Sequence, residues 1–199
     1  HINLDDLKMG PVKLEAIFDI IPKGERLPYI FELAKYHDTW TSLEKDSFEY
    51  IFADKHNPYK GYTPSLDGLA DGGIFNEEIA KVTEKSELAE LSVTYMEKII
   101  DLCKEEGIDL VFLKTPNDHI HNQPDYNAVA DIADANQIPY LDLNKEMSGQ
   151  LHNHVFHAET ITKRIGQWLL SLYEVEDKRE NPQFAQWHED ADYYYRYKH

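Results

Sequence analysis

Ile108-Asp109-Leu110-Val111-Phe112-Leu113-Lys114-Thr115-Pro116 is the stretch on which the fold turns. Its apolar positions run almost without a break and stop at Thr115-Pro116, the signature of a strand buried on both faces. Ile138-Pro139-Tyr140-Leu141-Asp142-Leu143 repeats that signature further on. Between the two, Asp125 to Asn136 reads as a short helix. Upstream, Ser86 to Glu106 reads as a long amphipathic helix, with Leu88, Leu91, Val93, Met96, Ile99, Ile100 and Leu102 as its apolar positions. Gly107 sits where a glycine stop belongs. Downstream, Glu159 to Tyr173 reads as a helix with Ile161, Ile165, Trp168, Leu169 and Leu172 inward. Helix, strand, helix, strand, helix is the α/β order, with parallel strands joined by right-handed crossovers. Two strands alone make a poor parallel sheet, because each needs both faces covered. Further strands are therefore expected from elsewhere, and no strong strand signal precedes residue 108.

The first half is less regular. Leu14, Ile17, Phe18 and Ile21 recur at helical spacing before Pro22 and Gly24 interrupt them. A second helix is expected over Leu27 to Tyr36, with Ile30, Phe31 and Leu33 inward, and a third through Leu43, Phe48, Tyr50 and Ile51. Residues 54–75 carry Pro58, Gly61, Pro64, Gly68, Gly72 and Gly73 and read as a long functional loop. From Glu174 to His199 charges mix with Phe184, Trp187, Tyr193, Tyr194, Tyr195 and Tyr197. That tail reads as an extended arm laying aromatics on the body, or alternatively as a stacking platform for sugar rings.

Composition narrows the classes of function. Lys plus Arg number 20 against 37 Asp plus Glu, a formal charge of −17 over 199 residues. Nucleic acid and anionic membrane surfaces reward basic patches, so neither is the expected partner. A hydrophobic fraction of 42% supports a real core. The single cysteine, Cys103, excludes an internal disulfide and any Cys-based zinc cluster, and its place among Ile99, Ile100 and Leu102 makes it a buried thiol. No apolar run approaches the ~20 residues of a membrane span. The chain opens at His1 without a basic-then-apolar signal, and reads as a processed or truncated piece.

The most chemical pattern is the histidine set: His119-x-His121, and His152-x-His154-x-x-His157. A His-x-His pair in extended chain puts both rings on one side. Both groups follow a strand's C-terminal end, where α/β sheets place their sites. Three imidazoles with Asp118 or Asp125 would suit zinc. The competing readings are that one histidine is a catalytic base and that the rest are loop residues. His119, His121 and His157 are thus weak metal candidates.

Other segments resemble bacterial exported SGNH/GDSL-type hydrolases. They are Asn3-Leu4-Asp5-Asp6-Leu7-Lys8-Met9 with Lys13-Leu14-Glu15-Ala16-Ile17, then Tyr36-His37-Asp38-Thr39-Trp40 with Leu43 and Asp46-Ser47-Phe48. Val111 to Asn117 is similar to the family's penultimate core strand and Ile138 to Asn144 to its last. Ala158 to Arg164 with Gly166 is similar to the start of its final helix, and the Asp177-Lys178-Arg179 and Trp187 pattern fits its tail. The resemblance spans roughly residues 3 to 190 and rests on the order and spacing of these pieces.

The resemblance implies a flavodoxin-like three-layer α/β sandwich, SGNH-hydrolase-like and incomplete at its N-terminus. On this reading residues 1–173 form the domain, with a helical and loop insertion at about 10–80, and 174–199 form the arm. It implies hydrolysis or transfer of O-acyl groups on a carbohydrate or cell-surface polysaccharide, an extracytoplasmic location and no cofactor. A serine, a histidine and an orienting aspartate three residues before the histidine would do the chemistry. The serine-bearing strand would lie before residue 1. His154, or alternatively His152, is the candidate base; Asn117, His37 and Trp40 are candidate substrate contacts, against a packing role for His37 and Trp40. The loop at 54–75 would shape the pocket. Two departures stand out: Ser148 lacks the family's nucleophile context, and the positions three before His154 and His152 hold Leu151 and Gly149, not aspartate. A catalytically inactive carbohydrate-binding or scaffold domain and a His-cluster metal protein are the competing expectations.

Overall fold

A computed structural model describes residues 4, 7–31, 44, 57–73, 75–117, 120–149 and 153–198. The chain divides into two compact units, residues 1–56 and 57–199.

In the first unit, helix α1 (Pro11–Ile20) starts on a proline, whose missing N–H costs nothing at a helix start. Lys13, Ala16 and Ile17 are its buried residues. Leu4, Ala16, Ile17 and Ile21 form a small core with Tyr29 and Ile30 against it, Tyr29 and Ile30 coming from the single turn α2 (Leu27–Ile30). Phe18, which shares the helical spacing of Leu14, Ile17 and Ile21, is 54% exposed. Arg26 explains this: its guanidinium lies 4.8 Å over the Phe18 ring and donates to the carbonyls of Phe18 and Ile21, both at 2.8 Å, so it caps α1 and covers the ring from outside. The expected helices beyond residue 31, with Leu33, Leu43, Phe48, Tyr50 and Ile51, lie outside the described residues.

The second unit begins with irregular chain at 57–73, turned at 58–61. Helices α3 (Glu77–Lys81) and α4 (Glu90–Glu106) follow, and α4 ends where Gly107 takes φ 65. Strand β1 (Phe112–Lys114), helix α5 (Gln123–Ala135), strand β2 (Tyr140–Asp142) and helix α6 (Val155–Leu172) complete the expected order. The strands pair in parallel, Phe112 opposite Tyr140, Leu113 opposite Leu141 and Lys114 opposite Asp142. Side chains alternate across the pair. Phe112 and Tyr140 pack with Ile100 of α4, Ala133 of α5 and Ile138. Leu141 and Leu143 pack with Ile161, Ile165 and Trp168 of α6.

The flavodoxin-like three-layer sandwich is not what forms. Among the described residues 57% are helical and 4% are in strands, and the sheet has two strands. The reason is visible in the apolar runs. Each contributes three residues to the ladder, while Ile108 and Leu113 at the ends of the first run are 57% and 40% exposed. A nearly continuous apolar run resembles a doubly covered strand whether or not neighbouring strands exist to cover it. Helix α4 shows the same shortfall: Ile100 is buried, whereas Leu91, Ile99 and Leu102 are exposed. Cys103, expected buried, is half-buried.

The tail is helical rather than extended. A 3-10 turn at Pro182–Phe184 leads into α7 (Gln186–Lys198). No helix among the described residues is long and apolar enough to cross a membrane.

Candidate functional site

The carboxyl ends of β1 and β2 are held together by a buried amide network. Asn144 is 1% exposed, and its Oδ1 accepts the backbone N–H of Asn117 at 2.7 Å, tying the exit of β2 to the exit of β1. Its Nδ2 donates to Gln123 Oε1 at 3.1 Å. Gln123, fully buried at the start of α5, donates from Nε2 to Asp142 Oδ2 at 2.5 Å and to Asn127 Oδ1 at 3.3 Å. Asp142 Oδ1 in turn accepts the N–H of Asn144 at 3.1 Å. Asn127 spends both of its amide hydrogens on the carbonyls of Val82 and Glu84, at 3.0 and 2.9 Å. No buried side-chain nitrogen or oxygen among the described residues is left without a partner. A network this complete fixes geometry and offers little to a ligand.

Asp142 also governs its neighbours. Burial pushes the Tyr140 phenol well above its usual range, and the Asp142 carboxylate and the Tyr126 phenol push it further. Burial lowers the Lys114 ammonium while Asp142 opposes that shift. Lys114 Nζ lies 4.7 Å over the Tyr126 ring and donates to the Thr115 carbonyl.

The connection from β2 to α6 passes the exit of β1. Gly149 is closed against Pro116, where an added Cβ would overlap the Pro116 carbonyl and lie 2.7 Å from its Cβ. His157, 4% exposed, has Nε2 2.8 Å from the Ser148 carbonyl, so Nε2 carries the proton and donates. Gly72, at φ 77, lies so close to the His157 ring that any Cβ there would overlap it. Ser65 accepts the N–H of Val155 at 2.8 Å. The 57–73 segment therefore lies over the start of α6.

His154 is the N-cap of α6 and is 8% exposed. Its Nδ1 accepts the Phe156 N–H at 3.3 Å, and its ring stacks on Phe156 with centroids 5.3 Å apart and planes at 16°. A neutral imidazole that accepts at Nδ1 carries its proton on Nε2. A serine-activating histidine of the triad type has the opposite tautomer, with Nδ1–H directed at a carboxylate and Nε2 free to take the proton. His154 therefore holds its proton on Nε2, with Nδ1 turned to the backbone rather than to a carboxylate.

The other sequence-derived candidates separate. Asn117 is half-buried and enters the network through its backbone. His121 is exposed on the 3-10 turn at Ile120–Asn122. Among the described residues no three His, Cys, Asp or Glu side chains come together to hold a metal ion. His152, His37, Trp40, His119 and Asp118 lie outside the described residues. The residues that sequence reasoning missed are Gln123, Asn127, Asp142 and Asn144. Asp142-x-Asn144 carries one signal for them, since an aspartate two residues before a polar residue at a strand exit forms a local turn.

Comparison with family models, with curated proteins and with solved structures returns no match to this chain.

Proposed function

We propose that this chain is the histidine-bearing portion of an SGNH/GDSL-type hydrolase or transferase that acts on O-acyl groups of a carbohydrate, with an extracytoplasmic location. The reading rests on one observation: His154 caps the start of α6 and His157 lies in its first turn, beyond β2 and beside a Gly149 that closes on the exit of β1. Strand exits are where α/β architectures gather reacting groups. A serine hydroxyl supplied from outside the described site would attack the ester carbonyl carbon. His154 or His152 would take its proton, then return it to the departing sugar oxygen as the acyl–serine bond forms. Water would repeat the cycle and release the acid.

A second reading, a non-catalytic carbohydrate-binding or scaffold domain, is favoured by two specific features. The Nδ1 of His154 is engaged by the Phe156 N–H, and Gly149, three residues before His152, has no space for an aspartate.

The test is covalent labelling of the protein isolated from its source by a biotinylated fluorophosphonate, repeated on His152→Ala and His154→Ala variants. Labelling in the wild type that slows at least about 100-fold in one of the two variants is the outcome expected of a general base. Absence of labelling in the wild type, or labelling indifferent to both substitutions, ends the hydrolase reading in favour of the binding one.

A further inference from the structure

Lys114, the last residue of β1, is half-buried. Strand residues two apart point to one face. Lys114 therefore continues the face of Phe112, which packs with Ile100 of α4 and Ala133 of α5. Asp142 lies directly opposite it in the parallel register and continues the face of Tyr140. Amine and carboxylate thus stand side by side at the carboxyl end of the sheet. Helix α5 serves both, with Gln123 bonded to Asp142 and the Tyr126 ring beside Lys114.

The surroundings of Nζ suit an ammonium ion poorly. A protonated amine has three hydrogens to donate. Among the described residues Nζ meets one acceptor, the Thr115 carbonyl, and the face of the Tyr126 ring, 4.7 Å away. The Asp142 oxygens are engaged elsewhere, one by Gln123 Nε2 at 2.5 Å and the other by the Asn144 N–H at 3.1 Å. Asp142 attracts the ammonium without bonding to it, and burial works the other way, toward the neutral, nucleophilic amine.

A free amine attacks electrophilic carbon, and the charge of the product selects the electrophile here. Acylation gives a neutral amide, which leaves the carboxylate without a counter-charge and the ring without a cation. Carbon dioxide gives a carbamate anion, which Asp142 repels. An aldehyde gives a protonated imine, a cation with a single N–H. That product fits the one carbonyl, the ring face and the carboxylate together. Anionic carbonyl compounds are disfavoured by Asp142 and by the net charge of −17.

We propose that Lys114 is a covalent site for neutral aldehydes, held as a protonated imine with Asp142 as its counter-ion. The Nζ lone pair attacks the carbonyl carbon, and one nitrogen proton passes to the carbonyl oxygen. The proton that the ammonium gave up joins the same oxygen, which leaves as water while the nitrogen pair closes the C=N bond. Ammonium plus aldehyde thus give iminium plus water, and nothing is oxidised or reduced. The site uses no histidine, so the proposal stands whether or not α6 carries a catalytic base.

The test is reductive trapping of the full chain near neutral pH with propanal and sodium cyanoborohydride, followed by peptide mass mapping at early times. The hydride goes to the iminium carbon, so imine that has formed is what is recorded. Lys114 should be alkylated at least about 10-fold faster than the exposed lysines Lys81, Lys85 and Lys163. In Tyr126→Ala and Asp142→Asn that advantage should fall to about 3-fold or less, while Tyr126→Phe, which keeps the ring face, preserves it. Acetylation by acetic anhydride leaves no charge on the nitrogen, so Asp142→Asn should not slow it at Lys114. Three results would each overturn the proposal: wild-type trapping at Lys114 no faster than at the exposed lysines, trapping and acetylation lowered together by Asp142→Asn, or a larger advantage with glyoxylate than with propanal. The wild-type comparison needs no variant, so a substitution that fails to fold leaves the test intact.

Discussion

Two polar-rich regions of the second unit are built to opposite ends. At the strand exits Gln123, Asn127, Asp142 and Asn144 are turned inward on one another, with Gln123 and Asn144 almost wholly sealed from solvent. Around Trp187 the aromatic rings brace each other at their edges, lysines lie over Trp187 and Phe184, and Trp187, Tyr193, Tyr195 and Tyr197 stay exposed. The difference teaches how to read a cluster of functional-looking residues. Polar groups that have already found partners maintain a shape.

The sharpest way to break the first region is from below. Leu143, next to Asn144 in sequence, is fully buried against Leu141 and against Ile161 of α6. Leu143→Ala should cost about 2–5 kcal/mol of stability, measured as a shift of the urea midpoint at constant slope. The network itself comes next. Gln123→Met preserves length and bulk but strips the partners of Asp142 and Asn144. A loss of roughly 1–3 kcal/mol is expected from the groups left unpaired. A variant as stable as the wild type would show the network to be dispensable to the fold.

A smaller effect should appear in alkali. The Tyr140 phenol is held above its ordinary value of 10.0 by burial first and by Asp142 second. Its contribution is fully present below pH 10 and is lost as pH rises toward the folded-state value, because the unfolded chain releases the proton first. Between pH 10 and 11 that loss should be about 1 kcal/mol or less, since the ring is only half-buried and solvent screens the charges. Tyr140→Phe should flatten the slope of stability against pH in that window. The stability effect of Trp187→Ala should be smallest of all, within about 0.5 kcal/mol, because the residue is largely exposed.

Local patterns carried much of the architecture. The order α4–β1–α5–β2–α6, the parallel pairing and the Gly107 stop follow from periodicity and a single glycine. The extent of the sheet does not, because an apolar run records what a strand would tolerate and says nothing about how many neighbours come to cover it. Nor does the helical state of 186–198, where tyrosines and charges have no apolar stripe. Residues 60 and 190 bond across 130 positions of sequence, a separation at which no spacing rule operates. The histidines were conspicuous as a chemical type, yet their roles depend on which ring nitrogen faces a backbone group. That is settled by the turn at 153–156 and by the Ser148 carbonyl.

The closure of Gly149 on Pro116 has a consequence for the strand exits. Any side chain at residue 149 would overlap the Pro116 carbonyl while β1 ends where it does. The glycine is therefore a fixed point of the chain leaving β2, and a larger residue there would have to push the exits of the two strands apart.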